Sequence, residues 1–289
     1  MHRFVLHNGQ VHEASAQILS PGQVGLVNGW GVFSTVRVTQ GILFAFERHY
    51  ARMRRDAELM RIPFPSSQAE IEEPLLELVE ANSAYESTLR VIVVRNRGGM
   101  WEGPNSRDFD LIAFTTSTKQ WGSGEKLGVV ENGRHRASPF TGTKILSWSF
   151  NLVWLEEAQC RGLDEVILLN ETGEVSECTS ANIFIAQGSH IWTPPLSSGC
   201  LPGVTRQLLL TEVVVPGITI GERTLKPADL EAADEVFITS TTRALLPVIS
   251  IEGLKINKGA SARQPVQEAF ERYVESYVAG MRAIAGNPA

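Results

Sequence analysis

The chain has 289 residues, 43% hydrophobic and 20% charged, with a net charge of −6. That is room for two domains and the balance of an ordinary globular protein. The negative charge argues against nucleic acid as a general partner, no run reaches the length of a membrane span, and MHRFVLHNGQ lacks the apolar core of a secretory leader. Cys160, Cys178 and Cys200 are odd in number and have no paired metal spacing, and the six histidines form no zinc-type arrangement with them. The expectation is a reduced, cytoplasmic protein without a metal site.

In chain order, Phe4–Gln17 reads as a hairpin around His7-Asn8-Gly9, since Asn-Gly between alternating residues is a strong turn signal. Gly25–Gln40 opens as a glycine-rich loop and ends in the strand VFSTVRV; Gly41–Phe46 (GILFAF) reads as the next strand. Glu47–Ile62 is an amphipathic helix with Tyr50, Met53, Ala57 and Met60 at helical spacing, stopped by Pro63 and Pro65. Ser67–Ala81 is a second helix, and Thr88–Val94 and Leu111–Thr116 are strands flanking a basic glycine loop, Arg95–Gly99. Thr118–Glu125 (TKQWGSGE) has linker composition. The expected division is an α+β domain over residues 1–118, a linker over 119–126 and a larger α/β domain over 127–289.

The second half is organised around Ser138–Ile185. A strand near Leu127–Glu131 precedes Lys144. Ser147–Gly162 is a helix with Trp148, Leu152, Leu155 and Ala158 as its stripe; Glu165–Leu169 is a strand, Asn170–Gly173 a turn and Glu174–Ile185 the strand leading out. His190–Thr193 and Glu235–Thr239 are strands, and Pro202–Val214 and Val266–Arg282 helices. A lysine before this hairpin and a carboxylate, Glu177, within it suit a flat heteroaromatic ring: the amine attaches to a carbonyl and the carboxylate pairs with a ring nitrogen. Taken singly, each is more often a solvated surface group. Three places suit a phosphate: the helix entry Gly203-Val204-Thr205, the strand end Ser240-Thr241-Thr242, and Arg52 on the first long helix. Ser and Thr at strand ends also simply satisfy turns. Gly29-Trp30-Gly31 lacks the third glycine of a dinucleotide fingerprint, and there is no P-loop, nucleophile elbow or HExxH.

Several stretches, in order and spacing, resemble the class IV aminotransferases, the fold-type IV pyridoxal-phosphate enzymes. They are GVFSTVRV (Gly31–Val38), ERHYARM (Glu47–Met53), GTKIL around Lys144, LDEVILLNETGEVSECTSANIF (Leu163–Phe184), LPGVTR (Leu201–Arg206) and ADEVFITST (Ala233–Thr241). The family includes branched-chain aminotransferases, D-amino acid aminotransferases and 4-amino-4-deoxychorismate lyase. The resemblance implies a two-domain α+β / α/β fold like that of D-amino acid aminotransferase. It also implies pyridoxal 5′-phosphate between the domains and a homodimer with the active site near its interface.

By position, the resemblance gives Lys144 as the lysine that carries the cofactor and Glu177, in an SE-x4-N pattern closed by Asn182, as the partner of the ring nitrogen. Arg52, in HxxR from His49, would bind the phosphate with the amides of Val204 and Thr205 and with Thr241, and Leu201 would lie against the ring. Branched-chain enzymes commonly have tyrosine where Asn28 and Thr88 stand, and another near Trp148, so their substrate pocket is altered here. Arg90, Arg95 and Thr242 remain as substrate-binding candidates, the two arginines for a carboxylate. The implied activity is transfer of an amino group between an amino acid, branched-chain-like or otherwise apolar, and a 2-oxo acid. The alternative is the lyase reaction, which eliminates pyruvate and leaves 4-aminobenzoate.

Overall fold

The computed structural model describes residues 1–100, 102–256 and 262–285. The chain divides into two compact units. One holds Met1–Lys119, Thr143–Trp148 and Ser276–Ala289; the other holds Gln120–Gly142 and Ser149–Glu275. No helix of the described residues is long and apolar enough to cross a membrane.

The first unit contains, in order, β1 (Phe4–His7), β2 (Gln10–Glu13), α1 (Val24–Asn28), β3 (Gly31–Thr39), β4 (Ile42–Leu43), α2 (Phe46–Leu59), α3 (Ala69–Ala81), β5 (Ser87–Arg95) and β6 (Phe109–Ser117). Among the described residues its strands form one antiparallel sheet in the order β2-β1-β6-β5-β3-β4. The period-2 alternation sorts β3 and β5 cleanly. Val32, Val36 and Val38 with Leu89, Val91 and Val93 face a core completed by Tyr50, Met53 and Ala57 of α2 and Ile71, Leu75 and Leu78 of α3. Burying each of these large side chains stabilises the unit by roughly 1.5–3 kcal/mol. The opposite face of the same strands carries Phe33, Thr35, Thr88, Arg90 and Ile92.

Two expectations change here. GILFAF is not one strand: only Ile42–Leu43 pair with β3, and Ala45, at φ 52, turns the chain into α2 from Phe46. The start of the glycine-rich loop contains a short helix, α1, closed by Gly29 in the left-handed region.

The second unit contains β7 (Glu125–Arg134), α4 (Ser149–Cys160), β8 (Glu165–Asn170), β9 (Val175–Cys178), β10 (Asn182–Gln187), β11 (His190–Thr193), a 3₁₀ turn (Leu196–Ser198), α5 (Val204–Thr211), β12 (Thr219–Glu222), α6 (Pro227–Ala232), β13 (Glu235–Ser240) and β14 (Ala244–Ile251). α7 (Arg263–Ala285) begins in this unit. The described strands form a mixed sheet in the order β12-β11-β10-β13-β14-β7-β8-β9, over a core that includes Ile167, Ile183, Ile185, Val236, Ile238 and Val248.

The stretch Glu174–Ile185 is two strands, not one. β9 pairs with β8 and β10 with β13. The break at Thr179–Ala181 has a local cause. The fully buried Glu165 carboxylate accepts the Thr179 N–H (3.1 Å) and hydroxyl (2.5 Å) through Oε1, and the Ser180 N–H (3.2 Å) and hydroxyl (2.6 Å) through Oε2. Those donors are taken out of any ladder. The stripe on α4 also differs from expectation: Asn151 and Ala158 are buried, whereas Leu152 is 53% exposed.

The compact units do not follow the expected boundaries either. β7 starts at Glu125, inside the expected linker. Thr143–Trp148, with Lys144, belong to the first unit because they add to the free edge of β3: Phe33 N–H donates to the Lys144 carbonyl (3.0 Å) and Leu146 N–H to the Gly31 carbonyl (2.9 Å). Glycine at position 31 permits this approach, since a Cβ there would meet Leu146 Cδ1 at 2.6 Å.

Candidate active site

In the first unit the site is built on β3, α2 and the Lys144 segment. The backbone of Lys144 is held on both sides, its carbonyl by Phe33 and its N–H by Asp56 Oδ2 at 3.0 Å. The Lys144 Nζ lies 4.7 Å from the centre of the Phe33 ring, and the Arg90 guanidinium lies 3.6 Å from the same centre. Phe33 can serve both cations because its ring face is electron-rich. Trp148 meets Phe33 edge-on at 6.4 Å, adding apolar wall.

Behind this face Ser34, on the core side of β3, ties two residues of α2. Its Oγ accepts from Arg52 Nη2 at 2.8 Å and lies 2.7 Å from His49 Nδ1. His49 and Arg52 lie one turn apart, so one helix face presents both. Burial, with Arg52 and Lys144 nearby, pushes the His49 imidazole well below its usual value, so it is neutral at pH 7. Burial likewise lowers Arg52, to about 10, and Arg90, to about 10, and both remain charged. Arg90 has neither a hydrogen bond nor an ion pair among the described residues. Arg95 is otherwise engaged: it stacks 4.3 Å over Trp30 and donates to the carbonyls of Arg97 and Arg61.

In the second unit the site is built around Glu177 at the end of β9. Its side chain is 10% exposed and both oxygens are engaged: Oε1 accepts from Arg134 Nε (3.0 Å) and Oε2 from the Leu201 N–H (3.0 Å). Arg134 is itself fixed, donating through Nη1 to Asn151 Oδ1 at 3.2 Å, and Asn151 Nδ2 donates to the Thr179 carbonyl at 2.6 Å. A register shift between Val130 and Arg134, with Asn132 at φ 54, re-aims the end of β7 toward Glu177.

Leu201 joins this carboxylate to the start of α5. The Leu201 carbonyl accepts from Asn182 Nδ2 and from the Gly203 N–H, each at 2.9 Å. Asn182 lies so close to Gly203 that any Cβ there would collide with its Oδ1. Val204 and Thr205, both buried, then open α5 with the free N–H groups of a first helical turn. Thr241 and Thr242 fall in the half-buried turn after β13, and antiparallel pairing puts the end of β13 beside the start of β10 (Asn182 opposite Thr239). In this unit Glu177, Leu201, Val204, Thr205, Thr241 and Thr242 therefore sit at one end of the sheet.

Ser34, Asp56, Arg134 and Asn151 were not singled out from the sequence. Asp56 sits in the run RMRRDAEL, which reads as a solvated face, and Arg134 follows Asn132-Gly133, which reads as the end of a strand rather than a bulge within one. Each unit offers groups of the kinds a phosphorylated pyridine carbonyl compound needs: the first an amine suited to the carbonyl and a buried guanidinium suited to the phosphate, the second a fixed carboxylate suited to the ring nitrogen and a helix N-terminus suited to the phosphate.

A family model described as Amino-transferase class IV matches residues 31–251. A D-alanine aminotransferase from Bacillus licheniformis is 30% identical over 287 residues, covering 95% of this chain and 98% of that protein. The branched-chain-amino-acid aminotransferase of Escherichia coli (strain K12) is 27% identical over 293 residues, covering 92% of this chain and 91% of that one. A crystal structure of a branched-chain aminotransferase from Thermoproteus uzoniensis shares the fold, with a TM-score of 0.85 over 96% of each chain at 24% identity. Matched over most of its length in both ways, the chain belongs to the class IV aminotransferases, enzymes that work with pyridoxal 5′-phosphate.

Proposed function

We propose that this enzyme moves an amino group between an apolar, branched-chain-like amino acid and a 2-oxo acid, with Lys144 as the residue that carries the cofactor and moves the proton. The observation that carries the reading is the Lys144 amine over Phe33, beside the Arg90 guanidinium and the Trp148 edge. Pyridoxal 5′-phosphate supplies a carbonyl that condenses with amines and a ring that accepts the electron pair left at the substrate Cα.

The protein's own groups do the rest. The Lys144 amine would act as the base that takes the proton from the substrate Cα and as the acid that returns it. Glu177, fixed by hydrogen bonds from Arg134 and the Leu201 amide, would pair with the ring nitrogen and hold a proton there. Arg52, the amides of Val204 and Thr205, and Thr241 would hold the phosphate, and Leu201 would pack against the ring. Arg90 takes the substrate carboxylate, supported by its half-buried guanidinium, which has no ion pair among the described residues; Arg95, already bound to two carbonyls, is not needed for this. Thr242 is a further substrate-binding residue in this reading. Phe33 and Trp148 favour an apolar substrate side chain.

The enzyme works as a cytoplasmic homodimer in this reading. Phe140, Phe150, Leu152 and Val153 of the second unit are 50–78% exposed, which supports association through that surface. The test is a panel of L- and D-amino acids with 2-oxoglutarate or pyruvate as acceptor. Formation of the matching 2-oxo acid from leucine, valine or another apolar donor is expected. Release of pyruvate and 4-aminobenzoate from aminodeoxychorismate, without any amino transfer, would replace this reading with the lyase one.

A further inference from the structure

We propose that Arg243 is a positioning residue for the cofactor phosphate: its guanidinium ties the turn that carries Thr241 and Thr242 to the break between β9 and β10. This rests on the reading that Thr241 binds that phosphate.

The turn is short. Antiparallel pairing of β13 and β14 runs as far as Ser240 opposite Ala244, which leaves Thr241, Thr242 and Arg243 outside the ladder. Ala244 lies at φ 50, a conformation that residues with a Cβ adopt only when their surroundings impose it. Thr241 and Thr242 make no side-chain hydrogen bond among the described residues. The Arg243 N–H donates to Ser240 Oγ at 3.2 Å and closes the turn locally. The Arg243 side chain then fixes the turn to the rest of the unit.

That side chain is 7% exposed and divides its nitrogens among three partners. Nε donates to Glu125 Oε1 at 3.0 Å, at the start of β7. Nη1 donates to Ser180 Oγ at 3.1 Å, inside the break. Nη2 lies 3.8 Å from Glu165 Oε2, on β8. A planar guanidinium presents its nitrogens at fixed positions, where a lysine brings one. Ser180 is the shared point: its hydroxyl accepts from Arg243 and donates to Glu165 Oε2 at 2.6 Å. The break leads from β9, with Glu177, into Asn182, and Asn182 Nδ2 holds the Leu201 carbonyl ahead of α5. Thr241 and the α5 amides, the phosphate contacts proposed in this unit, are therefore set relative to one buried guanidinium.

Charge balance decides which substitution is informative. Burial pushes the Glu125 carboxyl up, and Arg243 draws it back. Removing the guanidinium outright would take a cation from both Glu125 and Glu165, whereas R243K keeps the charge and loses the fork.

The test compares the full-length enzyme, freed of cofactor, in its affinity for pyridoxal 5′-phosphate and for pyridoxal, which lacks the phosphate. Wild type, R243K, S180A, S180T and T241V are titrated, with binding read from the visible absorbance. R243K is expected to raise Kd for pyridoxal 5′-phosphate about tenfold and Kd for pyridoxal less than about twofold. S180A, which removes the shared hydroxyl, is expected to give a selective loss of about threefold, and S180T, which keeps it, to restore wild-type binding. A merely structural role would weaken both ligands alike. Equal losses, or none, in R243K and S180A, with a selective loss in T241V, overturn this proposal alone. T241V without a selective loss overturns the reading that Thr241 binds the phosphate, and this proposal with it. If R243K does not fold, S180A carries the test by the same criterion.

Discussion

The two units treat charge in opposite ways. Around Lys144 the first unit buries Arg52, half-buries Arg90 and holds His49 neutral, with the Asp56 carboxylate on the Lys144 N–H. Around Glu177 the second unit satisfies its buried carboxylate with a guanidinium and a main-chain N–H, and fixes that guanidinium in turn. One region gathers cations around an aromatic ring; the other sets a carboxylate in a fixed network of hydrogen bonds. The lesson is that, in the proposed reading, the carboxylate meant for the ring nitrogen is already hydrogen-bonded in the folded chain, whereas burying cations meant for an anion carries an electrostatic cost.

That comparison breaks most sharply at Lys144. Lys144→Ala is expected to abolish turnover and the visible absorbance of the lysine-bound cofactor, checked by steady-state assay and spectrum; retained activity and colour would end the proposed role. Next comes Glu177. Glu177→Gln is expected to keep the cofactor yet lower kcat by about 10²-fold, because the ring-nitrogen proton loses its charged partner while Arg134 is left facing a neutral amide. An unchanged rate would sink the pairing.

On the cationic side, Arg90→Leu is expected to raise KM for the amino acid about 10- to 100-fold with a smaller change in kcat, as expected for loss of about 1.5–3 kcal/mol of charged hydrogen bonding. A larger effect on kcat than on KM would move Arg90 out of substrate binding. The smallest effect concerns stability. His49 stays neutral in the folded state below the ordinary imidazole value of about 6.5, whereas in the unfolded chain it takes up a proton there. The unfolded state therefore binds more protons, and stability should fall as pH drops below about 6.5, by up to about 1.4 kcal/mol per unit. Urea unfolding from about pH 7 to pH 5 should show this slope in the wild type and a flatter one in His49→Gln. Equal slopes would mean that another group carries the acid sensitivity.

Much of the frame was legible in local pattern. β3 and β5 alternate over most of their length, the Asn-Gly hairpin and the helical stripe of α2 are short-range signals, and α5 opens after Pro202-Gly203 as the spacing implies. Where the pattern misled, a long-range side chain had intervened. Glu165 splits what reads as a single strand after Gly173 by capturing the donors of Thr179 and Ser180. Ala45 starts α2 inside an apolar run that reads as strand. Arg134 reaches Glu177 through a bulge where the sequence reads as the end of a strand.

By itself, the sequence determined the residue types that the chemistry needs and the order in which they occur, because periodicity, glycine turns and motif spacing are properties of neighbouring residues. Only the tertiary structure decided which partners those residues meet. That Lys144 completes the edge of β3 beside Asp56, that Arg90 shares the Phe33 ring, and that Leu201 links Glu177 to α5 all depend on residues far apart in the chain being brought within 3 to 5 Å. No local pattern encodes such contacts; packing and burial do.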